Sequence, residues 1–159
     1  MRERIRFLVV SVNRSPRKGT AKTPSIRAMV DMEGLVDDAH RGPEGRGVSL
    51  LDAESIERFA AETGLSVSPG AFGENITTRG LDPSLVEKGD ILRIGDVLLE
   101  VTALGKTCHG DDCEIFRRVG RCVMPARGVF CRVLEGGAVE DGSEGVLEPG
   151  GRRPGHAFS

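Results

Sequence analysis

Apolar residues run almost without a break from Ile5 to Asn13 (IRFLVVSVN), and this pattern predicts a first β-strand. The next stretch, Arg14 to Pro24 (RSPRKGTAKTP), is polar and carries Gly and Pro, so it reads as a loop. Loose alternation over Ile26 to Met32 predicts a second strand. Gly34 to Gly47 (GLVDDAHRGPEGRG) has little periodicity and is long for a connector in a compact domain, the kind of loop that often carries function. Val48 to Leu51 then reads as a short buried strand.

A helix follows over Ala53 to Thr63. Asp52 is placed to cap it, Glu54 and Glu57 suit its positive end, and Ile56, Phe59 and Ala60 make one apolar stripe. Gly64 is its stop signal. Pro69 to Asn75 forms a tight loop, and Asp82-Pro83 predicts a single capped helical turn. The strongest local signal is DILRI-GD-VLLEV, two strand-like runs joined by Gly95-Asp96, which suits a type II′ hairpin between Asp90 and Thr102. Glu114 to Val119 is a candidate short helix. Val129 to Leu134 is a strand, and Gly136-Gly137 turns it toward Ala138-Val139. From Pro149 onward apolar periodicity ends, giving one domain over 1–148 and a flexible tail over 149–159. Seven or eight short strands and one main helix fit a mostly β fold, a curved or closed β-barrel, better than alternating βαβ units.

Composition narrows the function. The chain has 159 residues, and its 22 glycines suit a chain that turns often. A net charge of -2 supplies no positive field for nucleic acid, and 4% aromatics without Trp or Tyr supply no base-stacking platform. No apolar run is long enough for a transmembrane helix. Arg6 interrupts the N-terminal apolar run and no small-residue cleavage site follows, so a strand is expected there rather than a signal peptide. All four cysteines fall between residues 108 and 131, beside His109. Such clustering points to thiol or metal chemistry in a reducing cytoplasm rather than to a disulfide framework.

Four segments are candidates for chemistry. In Gly105-Lys106-Thr107-Cys108-His109, a cysteine at a strand end lies beside two potential cations, which favour the thiolate. A thiolate attacks sulfur, holds a persulfide or ligates a soft metal. Cys108, His109, Cys113 and Cys122 are a possible zinc set, although their spacing lacks the paired knuckles of structural sites. Cys131, in GVFCRVL, is expected in the core. Gly70 to Asn75 (GAFGEN) is a glycine loop that cradles an anion with outward amides, turns Glu74 and Asn75 toward a cavity, or is a plain turn. In Asp37-Asp38-Ala39-His40-Arg41 an acid can orient an imidazole. Arg14, Arg17, Lys18 and Lys22 either grip an anion or form a solvated loop, with the loop favoured.

Taken in order, Lys18-Gly19-Thr20 with Lys22, GLVDDAH, VSLLDAESIE, GAFGENITTRGLD, KGDILRIGDVLLEV and GKTCH resemble a MOSC domain, the module at the C-terminus of molybdenum cofactor sulfurases that also occurs alone. The resemblance runs from about Val9 to Leu134, and CVMPARGVF is similar to a stand-alone bacterial subgroup. Two departures stand out: Gly45-Arg46-Gly47 replaces a His-Arg-Gln, leaving Arg46 as the matching residue, and Thr107 replaces a Pro before the cysteine.

The resemblance implies a barrel-like β fold and a signature thiol at Cys108, assisted by Lys106 and His109. That thiol would accept sulfur from a pyridoxal-phosphate-dependent cysteine desulfurase or bind the molybdenum of the cofactor. Asp38, His40, Arg46, Phe72, Glu74 and Asn75 would line the cofactor pocket. Pyridoxal phosphate would sit only on the partner desulfurase, since the chain is too short for such a domain. Other molybdenum cofactor biosynthesis proteins are the alternative partners. Reduction of N-hydroxylated compounds by a molybdenum-dependent enzyme, and a zinc-stabilised binding module, are the alternative functions.

Overall fold

The computed structural model describes residues 2–15, 22–38, 47–105 and 127–150. The strand order around the molecule explains why the chain needs so many short elements. β1 (Ile5–Arg14), β5 (Val48–Asp52), β6 (Ile76–Arg79), β7 (Ile91–Ile94), β8 (Val97–Leu104), β9 (Val129–Glu135) and β11 (Glu144–Glu148) form a closed ring. The ring runs β1-β11-β7-β8-β9-β5-β6 and back to β1, so closure leaves no free edge among these seven. β2 (Thr23–Ser25) is added beside the end of β1. β10 (Gly137–Glu140), β3 (Arg27–Asp31) and β4 (Gly34–Leu35) make a second, three-stranded sheet. The expected barrel with one main helix is therefore the observed architecture, built from more strands than the pattern suggested.

β1 is the organising strand. Its first half pairs with β11 (Ile5 opposite Leu147), its middle with β6 (Val9 opposite Thr78), and its end with β2 (Val12 opposite Ser25). A register shift between Val9 and Ser11 bends it from one partner to the next. The β7–β8 hairpin turns at Gly95-Asp96 as expected, with Ile94 opposite Val97. Gly95 has φ 59 while Asp96 does not have positive φ, the pattern of a type II′ turn.

All pairings in the ring are antiparallel except β5–β6, and the helix α1 (Ala53–Thr63) is the crossover that a parallel pair requires. Asp52 caps α1 by accepting from the Ser55 amide, and Gly64 ends it with φ 75, both as the sequence indicates. β5 is buried on both faces, which is why VSLL reads as a continuous apolar run. Val48 and Leu50 face the barrel core beside Ile76, Leu92, Ile94, Leu99 and Leu147. Leu51 faces outward into a second cluster with Ile56, Phe59, Phe72 and Phe130 beneath α1. Each such fully buried aliphatic side chain contributes about 1.5–3 kcal/mol.

The polar loop expected over Arg14 to Pro24 is corrected at both ends. Arg14 completes β1, Thr23–Ser25 is a strand, and Lys22 is only 3% exposed. Two segments far apart in sequence meet at Asp90, where the Arg2 guanidinium donates at 2.8 Å and the Gly150 amide at 3.1 Å.

Candidate functional site

Where β1, β5 and β6 run side by side, the barrel carries polar side chains in positions that elsewhere hold aliphatic ones. Asn13, Glu74, Asn75 and Thr77 are each 0% exposed, and Ser11, Ser15, Lys22, Asp38 and Ser49 are buried with them. Buried polar groups are tolerated when they satisfy one another, and these do so across five segments of chain. Asn75 is the central connector. Its amide nitrogen donates to the Asn13 carbonyl at 3.3 Å, and its side-chain oxygen accepts from the Ser49 amide at 3.0 Å and the Ser49 hydroxyl at 3.3 Å. Asn13 returns a backbone bond, donating its amide to the Asn75 carbonyl at 2.6 Å.

The 69–75 turn folds around its own acid. The Gly70 amide donates to Glu74 Oε2 at 2.7 Å, and the Thr77 hydroxyl donates to the same oxygen at 2.8 Å. The glycine loop therefore turns the Gly70 amide inward onto Glu74. Gly70 itself adopts φ 90, and a Cβ there would lie 2.4 Å from the Lys22 carbonyl oxygen, so only glycine fits. The close approach is a bonded one, since the Lys22 amide donates to the Gly70 carbonyl at 2.8 Å. Lys22 Nζ in turn donates to Asp38 Oδ1 at 2.7 Å, with both side chains fully buried, and the Ser15 amide reaches the same oxygen at 2.9 Å.

These two carboxyls are driven in opposite directions. Burial pushes the Asp38 carboxyl up, but the Lys22 ammonium, the Ser15 amide and the Asn75 side chain together hold it below the ordinary range, so Asp38 is an anion at neutral pH. Burial also pushes the Glu74 carboxyl up, and there the Gly70 amide and Thr77 hydroxyl do not reverse it, with no ammonium or guanidinium facing it among the described residues. Glu74 Oε1 has no hydrogen-bond partner among the described residues. Leaving a neutral carboxyl oxygen unpaired costs about 1–3 kcal/mol, whereas an unpaired buried anion costs several more, so the acid form is favoured. The cluster thus holds one carboxyl kept anionic by a buried ammonium and a second whose acid form burial favours, linked through the Lys22 and Gly70 backbones.

The sequence-predicted pocket residues divide accordingly. Asp38, Glu74 and Asn75 come together in this cluster. The Phe72 ring turns away from it, stacked edge-on against Phe59 with ring centroids 4.9 Å apart. His40 and Arg46, and Lys106, Cys108, His109, Cys113 and Cys122, lie outside the described residues, as does the candidate helix Glu114 to Val119. Cys131 is fully buried as expected, and burial raises its thiol far above the ordinary value, so it is inert. Sequence reasoning missed Asn13, Ser49 and Thr77, and treated Lys22 as loop. The available signal was a polar residue inside an apolar strand, Asn13 after LVVSV and Ser49 between Val48 and Leu50.

The ends of the cysteine-bearing segment are fixed. The Gly105 amide donates to the Gly128 carbonyl at 2.7 Å, closing β8 against the start of β9. Arg127 then reaches across to the N-terminus of α1, donating to Ser55 Oγ at 3.0 Å and pairing with Asp82 at 3.3 Å. The match to known proteins covers these same elements. Residues 37–145 match the MOSC domain family model. The chain belongs to the MOSC domain family. The MOSC domain matches the uncharacterized protein YflK of Bacillus subtilis (strain 168) at 26% identity over 118 residues, 70% of this chain and 52% of that protein. It thus spans about half the length of that relative. The fold is shared with solved structures. One is the YuaD protein of Bacillus subtilis, with TM-score 0.77 and 19% identity over 94% of this chain and 100% of that one. Another is YiiM from Geobacillus stearothermophilus, with TM-score 0.73 and 25% identity over 90% of this chain and 75% of that one. YiiM from Escherichia coli aligns with TM-score 0.61 and 26% identity, covering 92% and 70%. The family is associated with molybdenum cofactor chemistry, and this MOSC domain has that general relation to the cofactor.

The described part of the site does not by itself fit a phosphate-bearing pterin. Lys22 is committed to Asp38, and the amides and hydroxyls of the cluster are committed to each other. No group of three metal-ligating side chains occurs among the described residues. No described helix is long and apolar enough to cross a membrane.

Proposed function

We propose that this MOSC domain handles sulfur in molybdenum cofactor chemistry through Cys108, in a reducing cytoplasm and with a cysteine desulfurase as sulfur donor. The observation that carries the reading is the fate of the cysteines. Cys131 is sealed in the core with its thiol held protonated, so thiol chemistry falls to Cys108, Cys113 and Cys122. Cys108 follows Gly105 by three residues, just past the point where β8 is pinned to β9, and sits in GKTCH within the family match.

The chemistry is a sulfur transfer between thiols. The Cys108 thiolate attacks the outer sulfur of a persulfide R–S–SH, a new S–S bond forms at Cys108, the old one breaks, and R–S⁻ leaves. No redox co-reactant is consumed. Lys106 and His109 are the cations that hold Cys108 as thiolate and then hold the charged product. Cys113 and Cys122 are the thiols that could take the sulfur onward.

Incubation with a cysteine desulfurase and cysteine, followed by mass spectrometric mapping, tests this. Persulfide is expected on Cys108 and lost in Cys108→Ala; labelling unchanged in that variant refutes the reading. Elemental analysis of protein from cofactor-competent cells distinguishes the alternatives. Molybdenum and pterin lost with Cys108 would make it a metal ligand and point to a reductase, and stoichiometric zinc released only on unfolding would make the Cys108/His109/Cys113/Cys122 set structural.

A further inference from the structure

We propose that Glu74 is a positioning residue that works as a neutral acid: with its proton retained it fixes the 69–75 turn, and through Gly70 that turn holds Lys22 on Asp38. The inference takes the Lys22–Asp38 pair of the candidate site as the group being positioned and does not rest on the role of Cys108.

Hydrogen-bond polarity identifies where the proton sits. The Ser11 hydroxyl donates to Asn13 Oδ1 at 2.6 Å, and Asn13 Nδ2 donates to Thr77 Oγ1 at 3.0 Å. The Thr77 hydroxyl, whose oxygen accepts from Asn13, donates its proton to Glu74 Oε2. The Gly70 amide donates to that same Oε2. One carboxyl oxygen is thus a double acceptor and the other, Oε1, has no described partner and no exposure. That asymmetry matches a carboxylic acid with Oε2 as its carbonyl oxygen and the proton on Oε1. Among the described residues, the groups facing the carboxyl are Thr77 from β6, which Asn13 of β1 holds in place, and the amides of Gly70, Phe72 and Glu74 from the turn, all neutral. The charged groups of the network, Lys22 and Asp38, connect to it through the Gly70 backbone.

Gly70 is the joint between the two halves. One face of its backbone donates to Glu74 and the other accepts from the Lys22 amide, and no side chain can be inserted between them. A shift of the turn therefore moves the Lys22 backbone, and with it the ammonium on Asp38. A buried Glu74 anion would favour such a shift, because its Oε1 has no donor among the described residues. Glutamine at this position keeps the double acceptor and the neutral charge, so Glu74→Gln separates the acid form from the anion.

The test has three readouts. Infrared difference spectroscopy at pH 7 is expected to show a buried protonated-carboxyl stretch in the wild type and none in Glu74→Gln. The ratio of unfolding equilibrium constants, wild type over Glu74→Gln, is expected to rise by up to about tenfold per pH unit from the unfolded Glu pKa of about 4.3 to the folded value, because a raised carboxyl loses its stabilising effect as pH climbs. The Lys22 ammonium resonance is expected to stay in place in Glu74→Gln and to move or broaden in Glu74→Ala. A missing carboxyl band, a pH-independent ratio, an unfolded Glu74→Gln, or a Lys22 signal unmoved in a folded Glu74→Ala each overturns the proposal. Should Glu74→Ala fail to fold, the first two readouts decide alone. None of the three involves Cys108, so they succeed or fail independently of persulfide labelling.

Discussion

Replacing Lys22 by Met keeps the length of the aliphatic stem and removes one charge from a pair that is wholly buried on both sides. The remaining Asp38 anion keeps its bond from the Ser15 amide at 2.9 Å but loses the ammonium at 2.7 Å. Removing one partner of a buried pair costs about 3–5 kcal/mol, and the retained amide bond places this case near the lower figure. That is a large share of a domain stability of roughly 5–15 kcal/mol. The sign of the pH dependence follows from the direction of the Asp38 shift. In the wild type the carboxyl is held low, so its stabilising contribution is present above the unfolded Asp pKa of about 3.9 and is lost as pH falls through the folded value. In Lys22→Met burial acts on Asp38 without the ammonium to offset it, the Ser15 amide and Asn75 side chain remaining, and acid relieves the variant by protonating it. Urea unfolding at pH 7 should show the full loss, and the gap to wild type should narrow toward pH 3. A loss below about 1 kcal/mol at pH 7, the scale of an exposed pair, would refute the reasoning, as would a gap that does not shrink in acid.

Three further outcomes follow from other contacts. Gly70→Ala combines a strained φ of 90 with a 2.4 Å approach to the Lys22 carbonyl and should cost roughly 2–5 kcal/mol, while Gly64→Ala, at φ 75 with open space around it, should cost about 1–2 kcal/mol; denaturant melts of the two compare clash against strain. Asp52→Ala removes the α1 cap on the Ser55 amide and should cost about 1 kcal/mol, with Asp52→Asn recovering most of it in the same assay. Cys131 should resist iodoacetamide in the folded protein and react only after unfolding, read by peptide mass mapping; rapid native labelling would contradict its burial.

Local rules made much of this fold legible. The helix over Ala53 to Thr63 was set by its own cap, stripe and stop glycine, and the Gly95-Asp96 hairpin by a turn whose backbone only such residues favour. These are contacts within a few residues, so sequence spacing is sufficient to specify them. Strands such as Ile76–Arg79 and Glu144–Glu148 escaped because four or five residues carry too little periodicity, and their partners lie far away in the chain. Asp38, Glu74 and Asn75, which the family likeness grouped as pocket residues, lie in one buried cluster, but the likeness could not say what each one does there.

What the sequence by itself determined is the chemistry available: a mostly β chain, a cysteine cluster confined to residues 108–131, and acids and amides at Asp38, Glu74 and Asn75. What only the tertiary structure decided is the state of those groups. Lys22 leaves a loop to become a buried counter-ion, Glu74 turns inward where burial pushes its carboxyl up, and Cys131 is withdrawn from reaction. Ionisation depends on burial and on partners brought from distant strands, and neither quantity exists until the barrel has closed.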